Sequence, residues 1–146
     1  MWCIGKLTTE YRQRMYDLLD LYARPYRANE PVVCVDEKSK QLLEQPRASI
    51  PAGPGNPIKE DYEYKRAGTR NIFMAIEPKG GHRQAEVTAR RTKSDFVQFI
   101  SHLVRKVYAR AQKIHLVLDN LNTHFRSSFE EVLGVKRAAQ LMERVE

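Results

Sequence analysis

Cysteine is scarce in this sequence: Cys3 and Cys34 are the two in 146 residues, too few for the disulfide framework of a small secreted scaffold. Cys34 lies inside an apolar run, where a small buried thiol is expected, and this usage fits a reducing cytoplasm. Long apolar runs are missing too. No stretch approaches the roughly 20 residues needed to span a bilayer, and no basic segment followed by an apolar core opens the chain. A soluble protein with no membrane partner is the expectation. Tryptophan occurs once, as Trp2, and repeats and low-complexity tracts are absent. Acidic residues are the minority charge, with 18 Asp and Glu against 25 Lys and Arg for a net charge of +7, which favours an anionic partner such as nucleic acid. At this length, with 42% hydrophobic residues, the chain can bury one ordinary core, so 1–146 is read as a single domain.

What is present is a set of patterned segments. Tyr11, Met15, Leu18, Leu19 and Tyr22 recur at helical spacing, and Arg24-Pro25 closes that helix because proline disfavours helix in the residue before it. Pro31-Val32-Val33-Cys34-Val35-Asp36 is apolar and β-branched without alternation, as in a strand covered on both faces, and it ends in charge at Asp36-Glu37-Lys38. Prolines 46, 51, 54 and 57 with Gly53 and Gly55 predict a long flexible loop over about 46–61. Residues 71–77 and 82–88 predict a hairpin turning at Pro78-Lys79-Gly80-Gly81. Thr92 with Asp95 predicts a helix cap, followed by one apolar stripe of Phe96, Phe99, Ile100, Leu103, Val104 and Val107. Ile114-His115-Leu116-Val117-Leu118-Asp119 then repeats the first strand's design, and a helix interrupted near Gly134 is expected from about 127 to the end.

The chemistry rests on the two aspartates that end the apolar runs. If those strands are parallel neighbours, Asp36 and Asp119 leave the same carboxyl edge of one sheet. Two carboxylates there suit Mg²⁺ or Mn²⁺, hard ions that take oxygen ligands and keep positions for water and phosphate. With a further carboxylate, two such ions can clamp an in-line phosphodiester displacement. Against this stands the bland alternative, that a strand-end aspartate only caps a turn.

Three segments carry a family resemblance. Val32-Val33-Cys34-Val35-Asp36-Glu37-Lys38, then Asp61-Tyr62-Glu63-Tyr64-Lys65-Arg66-Ala67-Gly68-Thr69, then Leu116-Val117-Leu118-Asp119-Asn120-Leu121-Asn122-Thr123-His124 resemble, in order and spacing, the mariner-related bacterial insertion-sequence transposases. The resemblance implies an α/β fold, an RNase H-like mixed sheet with flanking helices, and a DDE superfamily endonuclease that cleaves and transfers DNA with divalent metal. Asp36 matches the first acid and Asp119 the second. The implied partner is double-stranded DNA, the transposon ends, and a homodimer is compatible with it. The family's third acid lies on a helix after a tryptophan-containing segment, and residues 120–146 contain no tryptophan. A helix-turn-helix region would also precede the catalytic domain. The expectation is therefore a copy truncated at both ends and defective alone, with a non-catalytic DNA-binding protein, or a partner of intact transposase, as the alternative. Glu130, Glu131, Glu143 and Glu146 are read as solvated surface charges rather than a substitute acid.

Other residues are weighed beside these. Glu37 and Lys38 could support metal or phosphate next to Asp36, although a charge pair past a strand is more often solvated. His124 could orient water or contact DNA as readily as cap the next helix, and Asn120 and Asn122 suit a polar turn. Lys59, Lys65, Arg66, Arg70, Arg83, Arg90, Arg91 and Lys93, interleaved with Tyr62 and Tyr64, form the candidate contact to DNA phosphates. A nucleotide-binding domain would need a glycine-rich loop where Asp36-Glu37-Lys38-Ser39 stands. A phosphatase or receiver domain would also use strand-end aspartates but leaves Tyr64-Lys65-Arg66 and Asn122-Thr123-His124 without a role.

Overall fold

The computed structural model describes residues 7–119 and 126–146. Thr8 accepts the Tyr11 N–H and starts α1 (Thr9–Ala23), satisfying one of the orphan donors at a helix start. Three strands follow, β1 (Val32–Glu44), β2 (Lys65–Ile76) and β3 (Arg83–Thr88), then α2 (Lys93–His102), β4 (His115–Val117), α3 (Arg126–Leu133) and α4 (Val135–Met142). The sheet order is β3-β2-β1-β4, with β1 antiparallel to β2, β2 antiparallel to β3, and β1 parallel to β4. It is a mixed four-stranded sheet with flanking helices.

The first strand departs from the sequence expectation. It does not end at Asp36 but runs on to Glu44, because β2 supplies hydrogen-bonding partners along its whole length, from Cys34↔Ile76 to Glu44↔Lys65. Backbone pairing outweighs the low strand propensity of the charged residues. Residues 39–44 and 65–71 thus form a two-stranded arm, and the register slips between Gln41 and Leu43. Gly68 opposite this bulge has φ of +95°, a conformation glycine adopts without a Cβ penalty. Within the proline-rich 46–61 segment, two isolated bridges, Ile50↔Lys59 and Gly53↔Asn56, fold the chain back on itself.

Burial explains the sheet's two faces. Side chains alternate along a strand, so Val33 and Val35 point into the core with Phe73 and Ala75, while Val32 and Cys34 are half-buried on the other face. The strand is therefore not fully covered on both faces, as the run of apolar residues had implied. The core face receives α2: Phe73 stacks on Phe99 at 5.6 Å and Phe96 meets Phe129 edge-on at 5.8 Å, the geometries favoured by ring quadrupoles. The Thr92 and Asp95 capping box forms as expected. The apolar stripe remains buried through Val104, but the chain widens to a π-helical turn over Leu103–Val107 and leaves Val107 exposed.

Two further departures concern the ends. In α1 no residue is fully buried, and Tyr11, Leu18 and Leu19 of its apolar stripe stay exposed. Its C-terminal end alone engages the sheet, where the Tyr22 hydroxyl and the Cys34 thiol lie 3.1 Å apart. The closing segment is not helical to its end. After α4, Ile114 donates to the Arg144 carbonyl and accepts the Glu146 N–H, while Leu116 donates to the Glu146 carbonyl, so Val145 bridges Ile114 in parallel and extends the sheet beyond β4.

Candidate functional site

Parallel pairing joins Val32 to His115, Val33 to Leu116 and Cys34 to Val117. The paired ladder ends at Cys34↔Val117, with Asp36 two residues farther along β1 and Asp119 two residues past the end of β4. Both aspartates are exposed, and Asp36 Oδ1 accepts the Glu37 N–H at 2.8 Å. Asp36 sits inside β1, opposite Met74, on the face that also carries Val32 and Cys34.

Glu37 lies elsewhere. Alternation turns it to the opposite face, where its side chain is fully buried and 3.6 Å from the Arg91 guanidinium. A carboxylate so placed is held by an adjacent cation rather than presented to solvent. It cannot share a face with Asp36, and it is not the solvated surface charge that its position after an apolar run implied. Asn120 and His124 lie outside the described residues.

Strand continuation reveals cations that the shorter expected strand concealed. Lys38 and Lys40 follow Asp36 on its own face, and Lys40 is paired directly with Arg70 on β2. Like charges facing each other across a ladder destabilise it, and an anion lying along this face would relieve that repulsion. A period-two reading carried past Asp36 would have found Lys40. Lys59, Lys65 and Arg66 are exposed on the arm and its loop, and Arg90 and Arg91 on the connection between β3 and α2. The arm is also internally braced, since Arg47 bridges Asp61 at 2.7 Å and Glu63 at 3.5 Å. These acids are thereby taken up by Arg47.

A cleft of about 490 Å³ lies at the opposite, amino end of β1 and β4, between Tyr22, Tyr26, Lys79 and His115. Neither aspartate lines it. A concave pocket is the usual place to look for a small-molecule site, but an open sheet edge suits an extended polyanion better.

The model of the DDE superfamily endonuclease matches residues 31–142, a span that contains β1, both aspartates and the arm. The chain belongs to this family. Its structure is similar to that of a Mos1 mariner paired-end complex with Mn, at 17% identity and a TM-score of 0.54 over 99% of this chain and 44% of that one. A Mos1 complex with the left transposon end matches with a TM-score of 0.49 at 17% identity, over 91% and 42% of the two chains. A simian T-cell lymphotropic virus intasome gives 0.49 at 14% identity, over 98% and 43%. The DDE family chain thus has an RNase H-like fold and spans less than half the length of these chains. Among curated proteins, none matches the sequence.

The donor set of this DDE chain fits a divalent metal in part. Asp36 and Asp119 are hard oxygen donors, each two residues beyond the last pair of the β1–β4 ladder, and Mg²⁺ commonly takes one or two carboxylates with water and phosphate completing its shell. Among the described residues, no group of three metal-ligating side chains occurs. Among them, too, no helix is long and apolar enough to cross a membrane.

Proposed function

We propose that this chain is a DDE-type transposase catalytic core for metal-dependent cleavage and strand transfer of duplex DNA at transposon ends, defective alone because no third acid joins Asp36 and Asp119 among the described residues. The observation that carries this reading is the parallel pairing of β1 with β4 in a DDE family chain, with Asp36 and Asp119 each two residues beyond its last pair. Asp36 and Asp119 would hold Mg²⁺ or Mn²⁺, which when bound supplies Lewis-acid polarisation of the scissile phosphate. Lys38, Lys40 and Arg70 flank Asp36 on its face and neutralise the phosphates on either side of the reacting one. Lys59, Lys65, Arg66, Arg90 and Arg91 extend this contact along the arm and toward α2. Such contacts fix position and carry no sequence information. The exposed stripe of α1 leaves room for a second copy, in keeping with a homodimer.

The test uses Asp36→Asn and Asp119→Asn, which keep side-chain volume while removing charge. Once a third acid completes the site, and with Mn²⁺ and a labelled transposon-end duplex, each should abolish cleavage while the circular dichroism spectrum and DNA affinity remain those of the parent. Cleavage surviving in either variant would refute the ligand assignment. Tight DNA binding by the completed parent without any cleavage would favour the alternative, a DNA-binding protein that works beside an intact transposase.

A further inference from the structure

A second basic surface lies away from both aspartates. Between Asp95 and Asp119 the sequence contains no acid, yet Arg105, Lys106, Arg110 and Lys113 fall there. The π-helical turn over Leu103–Val107 and α4 enclose a groove of about 320 Å³, floored by Val104 and Leu141 and walled by Arg105, Arg137, Gln140 and Arg144. Among the described residues, no acidic one lines it. Elsewhere cations are matched on their own helix or loop, as in Arg14 with Glu10, Arg27 with Glu30 and Arg126 with Glu130. Among the described residues, no ion pair involves Arg105, Lys106, Arg110, Lys136 or Arg137.

Helix electrostatics account for only part of this charge. A helix C-terminus exposes carbonyl oxygens and attracts cations. Here Arg144 already fills that role, its guanidinium donating to the carbonyls of Val104 at 3.1 Å, Tyr108 at 2.7 Å, Ala109 at 3.2 Å and Ala111 at 2.7 Å. The negative end of the turn is thus covered, and Arg105 and Lys106 remain available. In α4 the arrangement opposes the dipole: Lys136 and Arg137 occupy the first turn, where positive charge is unfavourable, and no acid is present there. An anion bound in the groove would offset both costs.

The location is distinct from that of Asp36. The core face, against which α2 packs, is the reverse of the face bearing Asp36, and the chain after the turn is tied to the segment before β1, where Gln112 and Lys113 donate to the Asn29 carbonyl. From Lys93 to Val107 the helical segment is about 22 Å long at about 1.5 Å per residue. No single side chain serves both surfaces.

We propose that this groove is a second contact surface for the phosphate backbone of duplex DNA, allowing one protein to hold two duplexes. The proposal rests on the DNA-binding reading above but not on catalysis. Its test is made on the full chain, without divalent metal, using a mixture of donor-labelled and acceptor-labelled duplexes. The parent should bring the labels together, and Arg105→Ala with Arg137→Ala should abolish that transfer while leaving the binding of one duplex. The slope of log affinity against log salt should also fall by about two, at about 0.9 per lost phosphate contact. Arg105→Lys with Arg137→Lys should restore both, since neutralising phosphate needs charge alone, and this pair guards against a folding defect in the alanine variant.

Unchanged label transfer and salt slope in the alanine variant would overturn the proposal, leaving any bridging to a dimer that uses the arm twice. Absence of bridging by the parent would overturn it equally. If the arm reading fails instead, Lys65→Ala with Arg66→Ala will change nothing while the groove variant still weakens binding. Inhibition of the groove by an acidic peptide with no effect of duplex DNA would assign it to a protein partner and reject the DNA proposal.

Discussion

Tyr108 shows how a single side chain ties the fold to solution conditions. Burial first, then the charge of Glu77 and a hydrogen bond to it, and finally Tyr26 push the Tyr108 phenol up to about 12. Tyr22 is also pushed up to about 12, chiefly by its hydrogen bond to Cys34. In the unfolded chain these phenols ionise near their ordinary value of about 10. Stability linked to them is therefore fully present below about pH 10 and is lost as pH rises toward 12, because the unfolded state gives up its proton first. Tyr108→Phe should make the urea midpoint decline less steeply across that window. An identical decline in the variant would show that the phenol is not what titrates. Glu77 was not singled out in the sequence, where it reads as the charged end of a strand. Its burial at 2% exposure comes from the turn folding over it, and a Cβ on Gly80 would run into its carboxylate.

Among the elements, α2 anchors the sheet and β1 carries the chemistry. Phe99 is fully buried against Phe73, so Phe99→Ala should cost about 3–5 kcal/mol of stability through lost burial and the cavity left behind. Chemical denaturation measures this, and a loss below about 1 kcal/mol would mean that α2 repacks. The same element illustrates what was legible in advance. Its cap and stripe could be read from Thr92, Asp95 and the spacing of Phe96, Phe99 and Leu103, since local hydrogen bonding and 3.6-residue periodicity are written in neighbouring residues. The extension of β1 past Asp36 could not, because it depends on a partner strand far along the chain. The end of α4 was misread for the same reason: residues 144–146 turn to strand pairing only because the Ile114 and Leu116 backbone is waiting beside them.

The whole molecule acts as an electrostatic object. A net charge of +7 gives any polyanion a favourable field, but the arrangement matters more than the sum. Lys65→Ala with Arg66→Ala should weaken duplex binding and reduce its salt slope by about two, if both residues contact phosphate. Fluorescence anisotropy across a salt series decides this, and a slope equal to the parent's would remove the arm from the interface. Composition, periodicity and three short segments by themselves determined the family, the strand and helix pattern, and Asp36 and Asp119 as the residues to examine. Only tertiary structure decided that β1 and β4 pair in parallel just before these two aspartates, that Glu37 turns inward to Arg91, that Lys40 and Arg70 face each other beside Asp36, and that Arg105 and Arg137 line one groove. The reason is physical: local preferences arise from a residue's near neighbours, whereas register, facing and charge juxtaposition arise from the packing of segments far apart in the chain.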